Sequence, residues 1–449
     1  MPDRTPTAWR LVSLGVLAGG IACGTAAGSV GGARRLVIVA AAVAGGYVLP
    51  LARAGRRPPI APGAPPLDPD AKGCTFTVLV AAREEAGVVG ALVRDVAAQD
   101  HRAADGSPLF DLVVIDDRSG DGTGAAVLEA AREAGIGAIT AVVRRDGPDL
   151  PDGKGAALAA VQPEACRGDV IVVLDADARI GPTFLRRLAT YVDAGAGAVT
   201  ARRRVIDADA GWLAGAQADE QTLDGVIQRG RWALGGCSEF RGNGIVVRRD
   251  LLASVGGWRA EALTEDLDLS SRLAARAGVR VAWAIDAEVW EEPVRSVAAL
   301  WQQRLRWAEG GLRRVLEHGP AVVRSRRLGW YARADFATYA GQLPIAPLIL
   351  GAVGGGLLRR RPTPAIVLVG TYLAVGSVLA WDGLRWETDA GGEPIPPGPR
   401  ARRALRVGLF DAIWLGAIPG AMWRLATRRG SVGYEKMPHV GGGQGEWVR

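Results

Sequence analysis

Val170-Ile171-Val172-Val173-Leu174-Asp175-Ala176-Asp177 is the stretch that decides the fold. An unbroken apolar run rich in β-branched residues predicts a strand covered on both faces. It stops at Asp-x-Asp, which offers hard carboxylate oxygens of the kind a divalent ion takes. The same residues also suit a solvated turn. Upstream the rhythm repeats. Phe76 to Ala82 reads as a strand, Glu84 to Gln99 as a helix and Asp111 to Ile115 as a strand ending at Asp116-Asp117. Thr123 to Ala134 reads as a helix, Ala138 to Val143 as a strand and Lys154 to Ala165 as a helix; beyond the central strand Pro182 opens another helix. This alternation argues an α/β fold with a mostly parallel sheet between layers of helices. Ligands of such sheets gather at the carboxyl ends of strands, where Arg83, Asp116, Asp117, Asp175 and Asp177 fall.

Other clusters carry chemistry. Glu84 and Glu85 after the first strand can accept hydrogen bonds, although Glu in a first helical turn also suits the helix dipole. Asp116-Asp117-Arg118-Ser119, with Asp121 and Thr123, suits a capped turn. Two adjacent carboxylates at a buried strand end repel each other, which favours a functional role for one of them. Gly153-Lys154-Gly155 precedes a helix whose N-terminus attracts anions; the G-x-x-x-x-G-K-[ST] phosphate loop is absent. Ile245 to Arg248 and Gly256-Gly257-Trp258 follow, and Trp258 suits an acceptor platform or the core equally. Thr264-Glu265-Asp266 opens a helix with Thr264 placed to cap it, and a carboxylate there can take a proton from an attacking hydroxyl. Gln303-Arg304-Leu305-Arg306-Trp307 sets residues 303, 306 and 307 on one helix face. Arg and Trp can grip a pyrophosphate and a sugar or base. His101 and His318 read as surface residues.

The chain has 449 residues, 49% of them hydrophobic, with a net charge of +7; its mean hydropathy is +0.12 and its pI about 9.6. The apolar excess lies at the two ends and predicts membrane segments. Arginine clusters such as Arg359-Arg360-Arg361 flank apolar runs, so anionic lipid head groups fit better than nucleic acid as neighbours. Cys23, Cys74, Cys166 and Cys237 form no C-x-x-C pair, so neither zinc nor a disulfide framework is expected and a reducing compartment fits.

The expected organisation is a membrane hairpin over 1–52, built from apolar runs 11–31 and 36–51, then a Pro- and Gly-rich linker over 53–73. The main domain follows over 74–295, amphipathic interface helices over 296–340, membrane segments over 341–425 and a tail over 426–449. The C-terminal apolar runs are 343–358, 365–381 and 407–423. Counted with the hairpin, they put the C-terminus on the far side. Arg424, Arg428, Arg429 and Lys436 argue the near side, so one run is re-entrant or interfacial, or a further span is present.

In this order the motifs resemble those of the family 2 glycosyltransferases, over roughly Thr75 to Leu316, and especially the membrane-embedded branch with polysaccharide and bacterial glycolipid synthases. The resemblance implies a GT-A type fold and inverting transfer of a hexose from a UDP-sugar, with UDP-glucose the expected donor. It implies Mg2+ or Mn2+ on Asp177, with Asp175 on ribose or supporting the ion. Asp266 is the implied base, with Glu265 and Arg306 also catalytic. Arg83, Glu85, Asp117, Lys154, Asp175, Gln303 and Trp307 are the implied donor contacts, and Trp258 an acceptor contact. The membrane is the implied partner and the plasma membrane the implied site, with the catalytic domain cytoplasmic. Tyr434-Glu435-Lys436-Met437-Pro438-His439 looks like a W-x-K-T-x-H segment of some bacterial members, departing at Tyr434 and Met437. A lipid acceptor is expected, because so few spans leave little room for a polymer channel. A processive polysaccharide synthase and a non-catalytic scaffold of the same fold are the alternatives.

Overall fold

A computed structural model describes residues 5–27, 44–55, 73–389 and 392–427. The first half of the second N-terminal apolar run, the linker from residue 56 to 72, and the tail with its Tyr434–His439 segment lie outside the described residues.

Helix α1 (Thr7–Ala27) comes first. The α/β part then runs β1 (Phe76–Ala82), α2 (Val89–Ala97), β2 (Phe110–Asp117), α3 (Thr123–Glu133), β3 (Thr140–Arg145), α4 (Lys154–Leu158) and β4 (Val170–Asp175). It continues with β5 (Arg179–Ile180), α5 (Phe184–Asp193), β6 (Ala198–Val205), α6 (Trp212–Ala233), β7 (Ile245–Arg248), α7 (Glu265–Arg272) and β8 (Ala282–Glu291). Six helices follow: α8 (Val297–Arg324), α9 (Trp330–Ala340), α10 (Ile345–Leu358), α11 (Thr363–Gly383), α12 (Pro397–Phe410) and α13 (Ile413–Thr427).

The strands form one mixed sheet in the order β3-β2-β1-β4-β7-β6-β8-β5. Pairs β1–β2, β1–β4, β2–β3 and β6–β8 are parallel, and the pairs of β7 with β4 and β6 and of β5 with β8 are antiparallel. Register sets Asp116 opposite Ala82 and Asp175 opposite Ala81, so two acidic strand ends finish level on either side of β1. Both faces are covered, as the apolar run of β4 requires. Val78, Val80, Val172 and Leu174 pack with residues of α2, α3 and α5, while Leu79, Ile171 and Val173 pack with Leu158, Leu252 and Leu269.

Two helices are shorter than the sequence suggests. The one after β1 starts at Val89, because Glu84 takes a positive φ of 56° and turns the chain first. The one at Lys154 stops at Leu158, since Pro163 holds Gln162 extended.

Among the described residues four stretches are long and apolar enough to cross a bilayer: Thr7–Ala27, Trp330–Leu358, Thr363–Trp386 and Pro397–Thr427. Helix α1 packs on α10 through glycines; a Cβ on Gly24 would lie 2.0 Å from the Leu348 carbonyl, and one on Gly351 2.1 Å from that of Ile21. Small residues of this kind let helix backbones approach in a membrane. Helix α13 instead runs alongside α8 in the same direction: Gly416 and Gly420 face Trp301 and Leu305, and Arg424 lies 3.7 Å from Glu309.

Candidate active site

The loops after β1 and β2 are fastened to each other. The Glu84 amide donates to Ser119 Oγ at 3.0 Å, that of Glu85 to Thr123 Oγ1 at 2.8 Å and that of Ala86 to Asp121 Oδ2 at 3.0 Å. Glu84 Oε1 accepts from the Gly120 amide at 2.7 Å. Ser119 and Thr123, expected to cap α3, thus serve the neighbouring loop; Asp121 serves both, its Oδ1 accepting from the Thr123 amide at 3.0 Å, while the N-cap position itself is Gly122. Glu84 and Glu85 sit in a loop and not in a first helical turn. Asp117 is buried and accepts from Arg118 Nε at 3.0 Å and Arg145 Nη1 at 2.6 Å. Arg83 and Arg118 both reach Asp152, at 3.0 and 2.7 Å.

The acidic centre forms where β4 ends. Lys154 opens α4 and its Nζ donates to Asp175 Oδ1 at 2.5 Å and to the Gly242 carbonyl at 2.8 Å; it lies 3.6 Å from Glu265. The Arg241–Gly244 loop closes the other side. Gly242 and Gly244 each take a φ of 73°, which permits its tight path. Asn243 Oδ1 accepts from the Asp175 amide at 3.2 Å, while its buried Nδ2 has no hydrogen-bond partner among the described residues. A Cβ on Gly242 would stand 3.8 Å from Asp266 Oδ2. The Asp-x-Asp strand end and the T-E-D helix thus converge. Burial pushes the Glu265 and Asp266 carboxyls above their ordinary range, against the pull of Lys154. Burial opposes the Lys154 ammonium too, but Asp175 and Glu265 outweigh it and hold its pKa above the usual lysine value.

Helices α7 and α8 meet at Gly310, where a Cβ would lie 2.2 Å from Thr264 Cγ2. Thr264 holds the N-cap position of α7, yet its side chain makes no cap bond. One turn on, Asp268 accepts from His318 Nε2 at 2.8 Å, Arg272 Nε at 2.8 Å and Arg259 Nη1 at 3.1 Å. Asp268, Glu317 and His318 could bring three ligand atoms within 4.8 Å of one another. The two arginines already neutralise Asp268, so the group reads as a pin between α7 and α8. His318 is therefore buried, contrary to the surface position expected for it. So is His101, whose Nε2 donates to the Cys74 carbonyl at 2.8 Å.

Gln303, Arg306 and Trp307 all line the cleft that passes this centre. Arg304 between them is 2% exposed; it pairs with Glu220 and Gln303, and its guanidinium lies 4.3 Å from the Trp307 ring centre and 5.7 Å from that of Trp414. Sequence reading passed over Arg304. It also missed Arg203, which pairs with Glu291 and lies 5.5 Å from the Trp307 ring, and Glu239. Burial opposes the Glu239 charge, but Arg314, Arg231 and Arg241 outweigh it and bring its carboxyl down to about 2. These partners come from α6, α8 and a loop, so no local motif announces them.

Trp258 is a correction. It is 7% exposed and packs with Leu252, Val255 and Leu269 in the core, away from the cleft lining, because the Gly256-Gly257 turn directs it inward.

The cleft holds about 1770 Å³, more than the roughly 300–1,000 Å³ of a pocket for one small ligand. It starts at Arg83, Glu85 and Asp117, passes Lys154, Asp175, Asp177, Glu265 and Asp266, and ends among Leu343, Ile345, Ala346, Trp414 and Ile418 of the apolar helices.

The family model "Glycosyltransferase like family 2" matches residues 73–310. The chain is 31% identical to a beta-monoglucosyldiacylglycerol synthase of Trichormus variabilis over 82% of its own length and 77% of that protein's. It is 31% identical to the enzyme of the same name in Synechocystis, over 81% and 74%. Among solved structures it is similar to a mannosyltransferase from Pyrobaculum calidifontis in complex with GDP-Man and Mn2+. There the TM-score is 0.53 at 18% identity, covering 91% of this chain and 99% of that one, a likeness of fold.

Proposed function

The chain belongs to glycosyltransferase family 2, and from that premise we propose that it transfers glucose from UDP-glucose to the free hydroxyl of a diacylglycerol, with inversion, giving a β-glucolipid. The observation that carries this reading is the single cleft joining the acidic strand ends to apolar helices. A charged sugar nucleotide and a lipid can meet there. The names of the relatives matched along most of the chain point to the same acceptor, whereas a processive polymer synthase or a scaffold gains no such support.

In this reading Arg83, Glu85 and Asp117 face the uridine. Gln303 and Trp307 close over the diphosphate, with Arg306 and Lys154 as fixed positive charge beside it. Asp266 takes the proton of the acceptor hydroxyl as its oxygen attacks the anomeric carbon and the bond to the diphosphate breaks. Burial, which raises the proton affinity of Asp266, suits it to that task. Glu265 orients Lys154. The donor set fits a hard divalent ion by its chemistry: Asp175, Asp177, Glu265 and Asp266 all line the cleft and offer carboxylate oxygens. Asp177, supported by Asp175, would hold Mg2+ or Mn2+, which when bound neutralises charge on the departing UDP.

Contacts between the apolar helices support one membrane arrangement. The N-terminal end of α1 and the start of α10 border the cleft, while Arg359, just past α10, bonds Thr25 near the far end of α1. Helices α10 and α11 then cross out and back, and α12–α13, lying along α8, is the interfacial run. In this reading Arg424, beside Glu309 of α8, stays with the catalytic domain, taken to lie on the cytoplasmic side of the plasma membrane.

The test is transfer of labelled glucose from UDP-glucose by the full chain in membranes supplied with diacylglycerol and Mn2+. Label should enter the organic phase, disappear with chelator and fall by about 100- to 10,000-fold with Asp266→Asn. Label in a high-mass polymer, or none from any UDP-hexose, would overturn the reading.

A further inference from the structure

Arg304 is a buried cation for which the catalytic reading above has no use. Its neighbours Gln303, Arg306 and Trp307 are half-buried at the cleft. Taking a guanidinium out of water is costly, and a buried ion pair is weak evidence of stability; fixing register or orientation is its best-attested use. Both ends of this fork are engaged. Nη2 pairs with Glu220 of α6, whose other oxygen accepts from Trp414 Nε1 of α13 at 3.1 Å. Nη1 donates to Gln303 Oε1. The guanidinium also lies 4.3 Å from the centre of the Trp307 ring, within cation–π reach. Two other helices thus fix the arginine, and the arginine in turn touches Gln303 and Trp307.

The bond to Gln303 has a definite sense. A guanidinium has donors only, so the amide must offer its oxygen to Arg304. The NH2 end of Gln303 is left to meet a ligand; among the described residues it makes no hydrogen bond. Two N–H donors at a cleft suit an anion. Turned over, the same amide would set its oxygen against the phosphates.

We propose that Arg304 is a positioning residue: it locks the Gln303 amide with its NH2 toward the donor diphosphate and holds the Trp307 ring beside it, without touching the donor itself. The inference rests on the assignment of Gln303 and Trp307 to the diphosphate made above, and deepens it. Glu220 neutralises Arg304, so what the arginine supplies is orientation; the positive charge beside the diphosphate comes from Arg306 and Lys154.

The test measures UDP affinity by calorimetry on the purified full chain in detergent micelles with Mn2+, together with the kinetics of transfer to diacylglycerol. Arg304→Lys keeps a cation for Glu220 but has no fork with which to hold Gln303 as well. Kd for UDP and KM for UDP-glucose should rise about tenfold, the size of one hydrogen bond to a charged acceptor. KM for diacylglycerol and kcat should stay close to wild type, since the lost contact holds ground state and transition state alike. A merely structural role would lower the yield of active protein and leave Kd unmoved. In a Gln303→Ala background Arg304→Lys should add about twofold or less, because the group it orients is gone. Gln303→Glu covers the case in which the lysine variant fails to fold. Its carboxylate keeps one oxygen on Arg304 and turns the other on the diphosphate, so UDP should bind more weakly than to Gln303→Ala. The proposal is overturned by a folded Arg304→Lys protein with wild-type UDP affinity, by an undiminished effect in the Gln303→Ala background, or by a Gln303→Glu protein that binds UDP as well as Gln303→Ala does. If UDP binds and no diacylglycerol is glucosylated, the acceptor reading fails while the UDP affinities still decide the role of Arg304; if wild type binds no UDP, both fall.

Discussion

Replacing Gly310 with alanine tests whether the contact between α8 and α7 sets the active geometry. The added Cβ would lie 2.2 Å from Thr264 Cγ2, 2.5 Å from its Oγ1 and 2.9 Å from its Cβ. Real carbon atoms do not approach so closely, so α8 or the T-E-D segment must move. Overpacking of this kind costs about 1–3 kcal/mol, against about 1 kcal/mol gained from exchanging glycine for alanine inside a helix. The net expectation is a loss of up to about 2 kcal/mol. Gly319 on the same helix supplies the control, because its Cβ would meet Val315 and Phe336 at 3.7 and 3.8 Å, ordinary contact. Gly319→Ala should therefore be neutral or stabilise by up to about 1 kcal/mol. Activity should separate the two further. A displacement of about 1 Å between Asp266 and Arg306 is enough to lower turnover about 100-fold. Melting of the purified chain and glucose transfer at saturating donor read both effects. Adding Thr264→Ala to Gly310→Ala should return part of the stability, since the two sites are in contact. A Gly310→Ala protein that melts with Gly319→Ala and keeps wild-type turnover would refute the argument.

Two further outcomes follow from buried charge. Burial, against the pull of Lys154, pushes the Glu265 carboxyl from 4.5 up to about 7. A carboxyl that holds its proton more tightly when folded adds stability below its unfolded value and loses it as pH rises through the folded one. The metal-free chain should thus lose melting temperature as pH rises through about 7, Mn2+ should restore part of it at the alkaline end, and Glu265→Gln should flatten the dependence. A melting temperature that climbs through that window contradicts the assignment. Arg231 is fully buried, with Nε 3.0 Å from Asp335, Nη1 3.4 Å from Glu239 and its guanidinium over the Tyr339 ring at 3.9 Å. Arg231→Met leaves two carboxylates buried without their shared cation and should cost about 3–5 kcal/mol in equilibrium unfolding; a loss under about 1 kcal/mol would show that the pair is solvated.

The α/β core was legible because its physics is local. An apolar run ending in Asp-x-Asp needs two covered faces, and β1, β2 and β4 lie close to where the pattern sets them. The half of the sheet beyond β4 was hidden. β6 carries Arg202-Arg203-Arg204, which breaks any apolar period, and these are neutralised by Glu288, Glu291 and Glu387 from distant segments. Motif residues could likewise be named from residue type and order, since carboxylates at a strand end carry an unmistakable charge problem.

Sequence by itself determined the family, the α/β class and the set of chemically able side chains, because strand burial, capping and charge are written in short windows. Tertiary structure decided which of those side chains share a space. It sent Trp258, His101 and His318 inward, bound Lys154 to Asp175 and set Gly310 against Thr264. Partners hundreds of residues apart meet through packing of whole helices, and no short window of sequence contains that packing.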